Sequence, residues 1–416
     1  MTNRMRILFV DDQPEMARSA SEQLPDFVKA QADIEVLDLA AATSEIEILF
    51  KRYRKFLGGS SFADVVKEFP SRVDGADLLI LDYDLKDTSQ GGEWASGLEV
   101  ARTARAFSTA RAIVLLNQFR GSPKFDLTMT EGMASFADLD VPRMQLANPG
   151  LWSSANFGGF RPWSWPDLSR EHQRFEALCK WTTANLDRPV LEALGLNAGT
   201  SDDDDPTKTM ARETWTSVMS EPKATFRQLI EKGGFVPPNY SDQLMKDQDA
   251  APRVAASIFS RWFERSVWRS QDVFVDAPHL AHLAPWLLKK PEDRDHWAGV
   301  CVLEEASLEF FVDGIKEFMV PESSFASRPL FHYGEMQASG KMGKPHGFSF
   351  SVLPRLEFCE DVSQFLDPDA TLTFPTLLLG GYSVRFVCDQ AKFPGNWSDA
   401  QNPKNVDYVP QSLFAL

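Results

Sequence analysis

A chain of 416 residues and 46.7 kDa is longer than one hydrophobic core usually serves, so two domains are expected. With 43% hydrophobic and 12% aromatic residues, including 31 Phe and 11 Trp, it has the composition of a folded globular chain and not of a disordered one. A formal net charge of −16 disfavours a general nucleic-acid binder, because neutralising phosphates takes a basic face.

Cys179, Cys301, Cys359 and Cys388 lie far apart, which indicates neither a zinc ribbon nor a disulfide framework. Arg4 and Arg6 lead into only a short apolar run before Asp11, unlike a secretory signal. No stretch approaches the length of a membrane span, and a cytoplasmic protein with no membrane partner is expected.

In chain order, Arg6-Ile7-Leu8-Phe9-Val10-Asp11-Asp12 reads as a short strand that stops at acids, and Pro14 suits the first turn of a helix over 14–24. Asp11 or Asp12 would equally serve to cap that helix. A second strand is expected over 34–40, then a helix over 45–53 capped by Thr43 or Ser44. Residues 55–75 read as an excursion. Next, Leu78-Leu79-Ile80-Leu81 ends in Asp82-Tyr83-Asp84, and four consecutive aliphatics bounded by polar residues indicate a strand buried on both faces. Asp82 then closes that strand at its carboxyl end, where open α/β sheets place their chemistry. If the first and third strands are parallel neighbours, Asp11, Asp12 and Asp82 converge, and clustered carboxylates of this kind suit Mg²⁺.

After a polar loop containing Gly91-Gly92, a helix is expected over 98–107 and a strand over 112–117, ending in Asn117. A fifth strand is placed at 143–149 and an amphipathic helix at 168–186. This alternation predicts a doubly wound parallel sheet, with the first domain at 1–196. The run Asp202-Asp203-Asp204-Asp205 marks an acidic linker at 197–210. Beyond it, 211–416 reads as a mixed α+β domain. Helices are expected at 211–232 and 250–270, and short apolar runs at 298–303, 348–353, 372–379 and 382–388 predict a largely antiparallel sheet. His279 and His282 lack the Glu of a zincin motif and read as a structural pair. Trp152, Trp163 and Trp165 are expected to seal an interface.

The acid pair after the first strand and the lone acid after the third resemble the receiver domain of two-component response regulators, over 1–196. The resemblance implies a flavodoxin-like fold with Asp82 as phosphoacceptor. It also implies Mg²⁺ held by Asp11, Asp12, Asp82 and the backbone carbonyl of Asp84. Two positions depart from the family: its switch hydroxyl falls on Leu116 or Asn117, and the lysine that precedes a proline after the fifth strand falls on Asn148, ahead of Pro149. Asn donates a hydrogen bond but supplies no charge. Asp82-Tyr83-Asp84 also resembles the first motif of haloacid-dehalogenase-like phosphatases, with Lys86 where Thr or Val is expected. It resembles the DxD of Toprim-type nucleases too, without their preceding Glu. The expected function is a receiver-like module that controls a C-terminal protein-interaction domain. Its partners would be a histidine kinase or an operon-encoded effector, with no nucleic acid. A receiver-controlled effector enzyme of hydrolase type is the alternative.

Overall fold

The computed structural model describes residues 4–88, 96–117, 136–153, 167–194, 223–263, 274–302, 305–320, 329–359, 362–373 and 386–389. Its first half is built on five parallel strands: β1 (Met5–Val10), β2 (Ala32–Val36), β3 (Leu78–Asp82), β4 (Ala112–Asn117) and β5 (Leu139–Pro142). They run in the order β2-β1-β3-β4-β5, the flavodoxin-like doubly wound order that the alternation of elements predicts. The order reverses between β1 and β3. That switch point leaves a crevice at the carboxyl ends of exactly the strands that carry the acids.

Side chains alternate across the sheet with the period of a strand. Ile7, Phe9, Leu78, Ile80, Val114 and Leu116 point to one face, where they meet Ala17 and Ala20 of α1 (Pro14–Glu22) and Val28 of α2 (Asp26–Gln31). Leu8, Val10, Leu79, Leu81, Ile113 and Leu115 point to the other, against α3 (Leu39–Leu57) and α5 (Gly97–Phe107). Between these two helices, α4 (Phe62–Glu68) lies in the excursion before β3. All five residues of β3 are buried, and each large aliphatic side chain removed from water contributes about 1.5–3 kcal/mol. A run with aliphatics on both faces is stable only where both faces are covered, which is why the third strand was legible.

Two boundaries differ from the expectation. The second strand ends at Val36, and the helix after it begins at Leu39, ahead of Thr43 and Ser44. Asp38 is its cap, with a carboxylate oxygen accepting from the Ala41 N–H at 2.8 Å. Ala40, Ala41 and Ala42 then favour continued helix, and Thr43 is buried inside it. The fifth strand is also displaced: β5 is Leu139–Pro142, whereas Arg143–Ala147 is a 3-10 turn and α6 (Pro149–Trp152) follows. The physical reason lies in Asp138. It interrupts the apolar pattern in sequence, yet it is buried against Arg105 of α5 and accepts the Ile113 N–H at 2.7 Å, fixing the chain beside β4.

A further layer of helices covers the outer faces of α3, α4 and α5. Its members are α7 (Leu168–Asn185), α8 (Val190–Ala193), α9 (Phe226–Lys232), α10 (Ser241–Lys246) and α11 (Ala250–Trp262). Phe56, Phe62, Val65 and Phe107 share one apolar cluster with Phe175, Leu178, Phe226, Leu229, Val254 and Phe259. Polar ties reinforce it. Asp247 accepts the Phe62 N–H at 2.8 Å, and Arg253 donates to the Ala110 carbonyl at 2.6 Å. Residues on both sides of the acidic run therefore contribute to one core. The run itself, at 197–210, lies outside the described residues, as do 211–222 and 264–270 of the expected helices and Trp163 and Trp165.

Farther along, β6 (Phe274–Asp276) pairs antiparallel with β7 (Leu330–His332). β8 (Glu357–Cys359), β9 (Gln364–Leu366), β10 (Thr371–Thr373) and β11 (Phe386–Cys388) form a small sheet in the order β10-β11-β8-β9, with a parallel pair between β11 and β8. The described part of the apolar run at 298–303, residues 298–302, and the run at 348–353 do not become strands. The first begins inside a helix, Arg294–Gly299, and the second holds a 3-10 turn that leaves Phe350 exposed. Among the described residues, no helix is long and apolar enough to cross a membrane.

Candidate functional site: an acidic pocket closed by an arginine

Register brings the acids together. Val10 lies opposite Leu81, so Asp11, one residue on, stands beside Asp82. Asp11, Asp12 and Asp82 are all buried and each offers a carboxylate oxygen within 4.8 Å of the others. Among the described residues, no other group of His, Cys, Asp and Glu side chains comes close enough to hold a metal ion. Neither Asp11 nor Asp12 caps α1, whose cap position is Gln13 with no side-chain hydrogen bond. Asp11 accepts the Gln13 N–H at 2.8 Å, and Asp12 accepts the Asp87 N–H at 3.2 Å.

Arg143 closes the pocket. Asp82 is in register with Leu116, and Asn117 with Pro142, so the first residue past β5 falls at the same edge of the sheet. One Arg143 nitrogen, Nη2, lies 2.9 Å from Asp82 Oδ1 and 3.0 Å from Asp11 Oδ2. The side chain is 15% exposed, and its Nε and Nη1 are buried with no hydrogen-bond partner. Two donors of a buried guanidinium are thus left over beside Asp82, and such donors are costly to leave unmet.

Asn148, which the resemblance puts in the place of the lysine, has other partners, and Arg143 is the cation that the described residues place on Asp82 and Asp11. Asn148 is the cap of α6: its Oδ1 accepts the Gly150 N–H at 2.9 Å and its Nδ2 donates to Gln145 at 3.1 Å. The cation is hard to see because the short strand Leu139-Asp140-Val141 carries an acid between its apolar residues and follows another, Asp138. The signal was nevertheless there, in the period-2 alternation of Leu139 and Val141 before Pro142, a residue compatible with an edge strand. At the fourth strand the expectation and the structure agree on position: β4 ends at Asn117, Leu116 is buried, and its carbonyl accepts the Tyr83 N–H at 3.1 Å. The Asp84 carboxylate stands apart from the cluster and pairs with Lys86, while its N–H donates to Asp82 Oδ2 at 3.3 Å.

The electrostatics follow from burial. Desolvation, opposed by the Gln13 N–H and aided by the charge of Asp82, raises the Asp11 carboxyl to about 7. Asp12 is raised as well, again chiefly by desolvation. A carboxyl raised in the folded state stabilises the fold below its unfolded value, 3.8 for Asp11, and that contribution is lost as the pH rises through the folded value. In buffer free of divalent cations, Asp11→Asn should therefore gain stability relative to the natural chain as the pH rises from about 4 to about 7, then level off. Paired thermal melts across that range test this, and a constant difference would refute it.

Compared with protein-family models, curated proteins and solved structures, the chain matches none. The site must be read from its own chemistry. Two buried acids just past β1 and one at the end of β3 present hard oxygen ligands of the kind Mg²⁺ accepts. Asp11, Asp12 and Asp82 thus fit a divalent cation. The His279 and Asp276 side chains, by contrast, lie 2.5 Å apart at the start of a short helix that Asp276 caps. The same Asp276 oxygen accepts the His279 N–H at 3.2 Å as the helix cap.

Proposed function

We propose that the parallel-sheet half of this chain is a receiver-like signalling module that accepts a phosphoryl group on Asp82, and that the rest of the chain is the part it controls through protein contacts. The observation that supports this reading best is Arg143, a cation at the end of β5 bonded to the acid at the end of β3. It answers the main departure noted in the sequence, the missing lysine. Arg keeps the charge and adds a fork of donors.

The chain's own groups divide the work. Asp82 supplies the nucleophilic carboxylate: one oxygen bonds to phosphorus while the bond from phosphorus to the donor's leaving group breaks, and the leaving group takes the electron pair. The Asp84 N–H and Arg143 hold that carboxylate from two sides. Arg143 Nε and Nη1 remain to donate to the oxygens of the phosphoryl group. Asp11 and Asp12, with Asp82, would hold Mg²⁺, which when bound offsets the charge of the incoming phosphate. Leu116 carries no hydroxyl, so the usual switch at that position is absent and Arg143 is left as the group that senses the new charge. A phosphohistidine on a kinase is the donor this chemistry suits.

Incubating the full chain with acetyl phosphate and Mg²⁺, then measuring intact mass, tests the proposal. One added phosphoryl group, lost in Asp82→Asn and absent without Mg²⁺, is the expected result. An unmodified chain, or an adduct that survives Asp82→Asn, would overturn it and leave Arg143 as a permanent structural counter-ion. Mg²⁺ should also raise the melting temperature more above about pH 7 than near pH 5, since at the lower pH it must first displace the Asp11 proton.

A further inference from the structure

At the end of the sheet opposite Asp82, the segments entering β3 and β4 meet α7 and α11 around a cavity of about 350 Å³, lined by Asp74, Gly75, Thr109, Arg111, Phe175, Glu176, Cys179 and Arg253. Four guanidinium groups converge on this seam. Arg52 is paired with Asp74, Arg105 with Asp138, and Arg111 with Asp77 and Glu176. Arg253 has no carboxylate partner among the described residues. Its Nη2 donates to the Ala110 carbonyl at 2.6 Å, its Nε is buried without a hydrogen bond, and its guanidinium carbon stands 6.0 Å from the centre of the Phe175 ring. A cation held in this way, without a counter-charge, gains when an anion arrives.

We propose that this cleft binds a small oxyanion, a carboxylate or phosphate group held between Arg253 and Arg111. Arg111 is the adaptable side of the clamp: it is 42% exposed, and Glu176, which reaches it from solvent, is itself 66% exposed and is the carboxylate an incoming anion displaces. The carboxylates that act on Arg253 from a distance, Asp138 and Asp74, are already paired with Arg105 and Arg52. Burial pushes the Cys179 thiol up to about 11, so it stays protonated near neutral pH and offers an S–H, while Arg253, lowered to about 10 by the same burial, keeps its charge. The cavity is of a size that accepts a small metabolite. Because Arg253 sits on α11 and Arg111 at the start of β4, a bound anion ties the outer helices to the sheet.

The test uses the full chain in chloride buffer, titrated with inorganic phosphate, citrate or succinate at ionic strength matched by sodium chloride. A saturable rise in melting temperature is expected, and the stronger of the phosphate and carboxylate arms identifies the source. Arg253→Met should weaken the apparent affinity about tenfold or more, and Asp82→Asn should leave it unchanged. A rise that sodium chloride reproduces, or one that persists in Arg253→Met, overturns the proposal. Should that variant fail to fold, the natural chain still decides: the saturating anion should slow maleimide labelling of Cys179, mapped by mass spectrometry, and not that of Cys301. Equal labelling of Cys179 with and without the anion overturns it.

Discussion

Replacing Arg143 by methionine is expected to destabilise the cation-free chain by about 3 kcal/mol and to make its stability depend on Mg²⁺. Methionine keeps much of the apolar stem, so the loss is chiefly that of charge. What remains are three buried acids, of which Asp11 and Asp82 have lost contacts of 3.0 and 2.9 Å. Removing one member of a buried pair costs more than the pair contributes, because the other charge is stranded. Mg²⁺ should restore most of the loss and should stabilise the variant more than the natural chain. Denaturant unfolding with and without Mg²⁺ measures both effects. A variant as stable as the natural chain without Mg²⁺, or one that Mg²⁺ does not help, would show that the three acids need no cation. Acetyl phosphate labelling of the same variant asks whether the guanidinium also assists the reaction.

The second large effect is expected from Gly97→Ala. A methyl group on Gly97 would fall 2.1 Å from the backbone carbonyl oxygen of Asp82 and 2.7 Å from Leu115 Cδ1. The leucine tip can yield, but the carbonyl belongs to β3 and cannot. The start of α5 must then move away from the strand, with loss of the bond from the Gly97 N–H to the Tyr83 carbonyl at 2.9 Å. Overpacking of this kind costs about 1–3 kcal/mol, and here it falls on the residue proposed to react. Both the melting temperature and the extent of Asp82 phosphorylation should drop. A melt that superimposes on that of the natural chain would show that α5 and β3 have slack the geometry does not.

The sequence is legible where structure is local or both faces of an element are apolar. Ile7 to Val10, Leu78 to Leu81 and Ala112 to Leu116 declare themselves as buried strands, and the acids that end the first two announce the pocket. Asp38 was hidden because a single capping acid looks like any other polar residue between a strand and a helix. Asp138 and Arg143 were hidden for a different reason. Their partners, Arg105 for one and Asp11 and Asp82 for the other, are tens of residues away in the chain. Charge inside an apolar pattern reads as a loop until its partner is known. The helical layer over α3, α4 and α5 was illegible on the same grounds. The apolar faces of α9 and α11 show that these helices must pack, but not that they pack on Phe56, Phe62 and Phe107.

That layer bears on how the chain can be dissected. Phe226 and Phe259 fill the same interior as Phe107 and Phe175, so severing the polypeptide within the acidic run would tear one interior into two sticky halves instead of freeing two self-sufficient bodies. The later helices thus lie in direct apolar contact with the helices that cover the sheet.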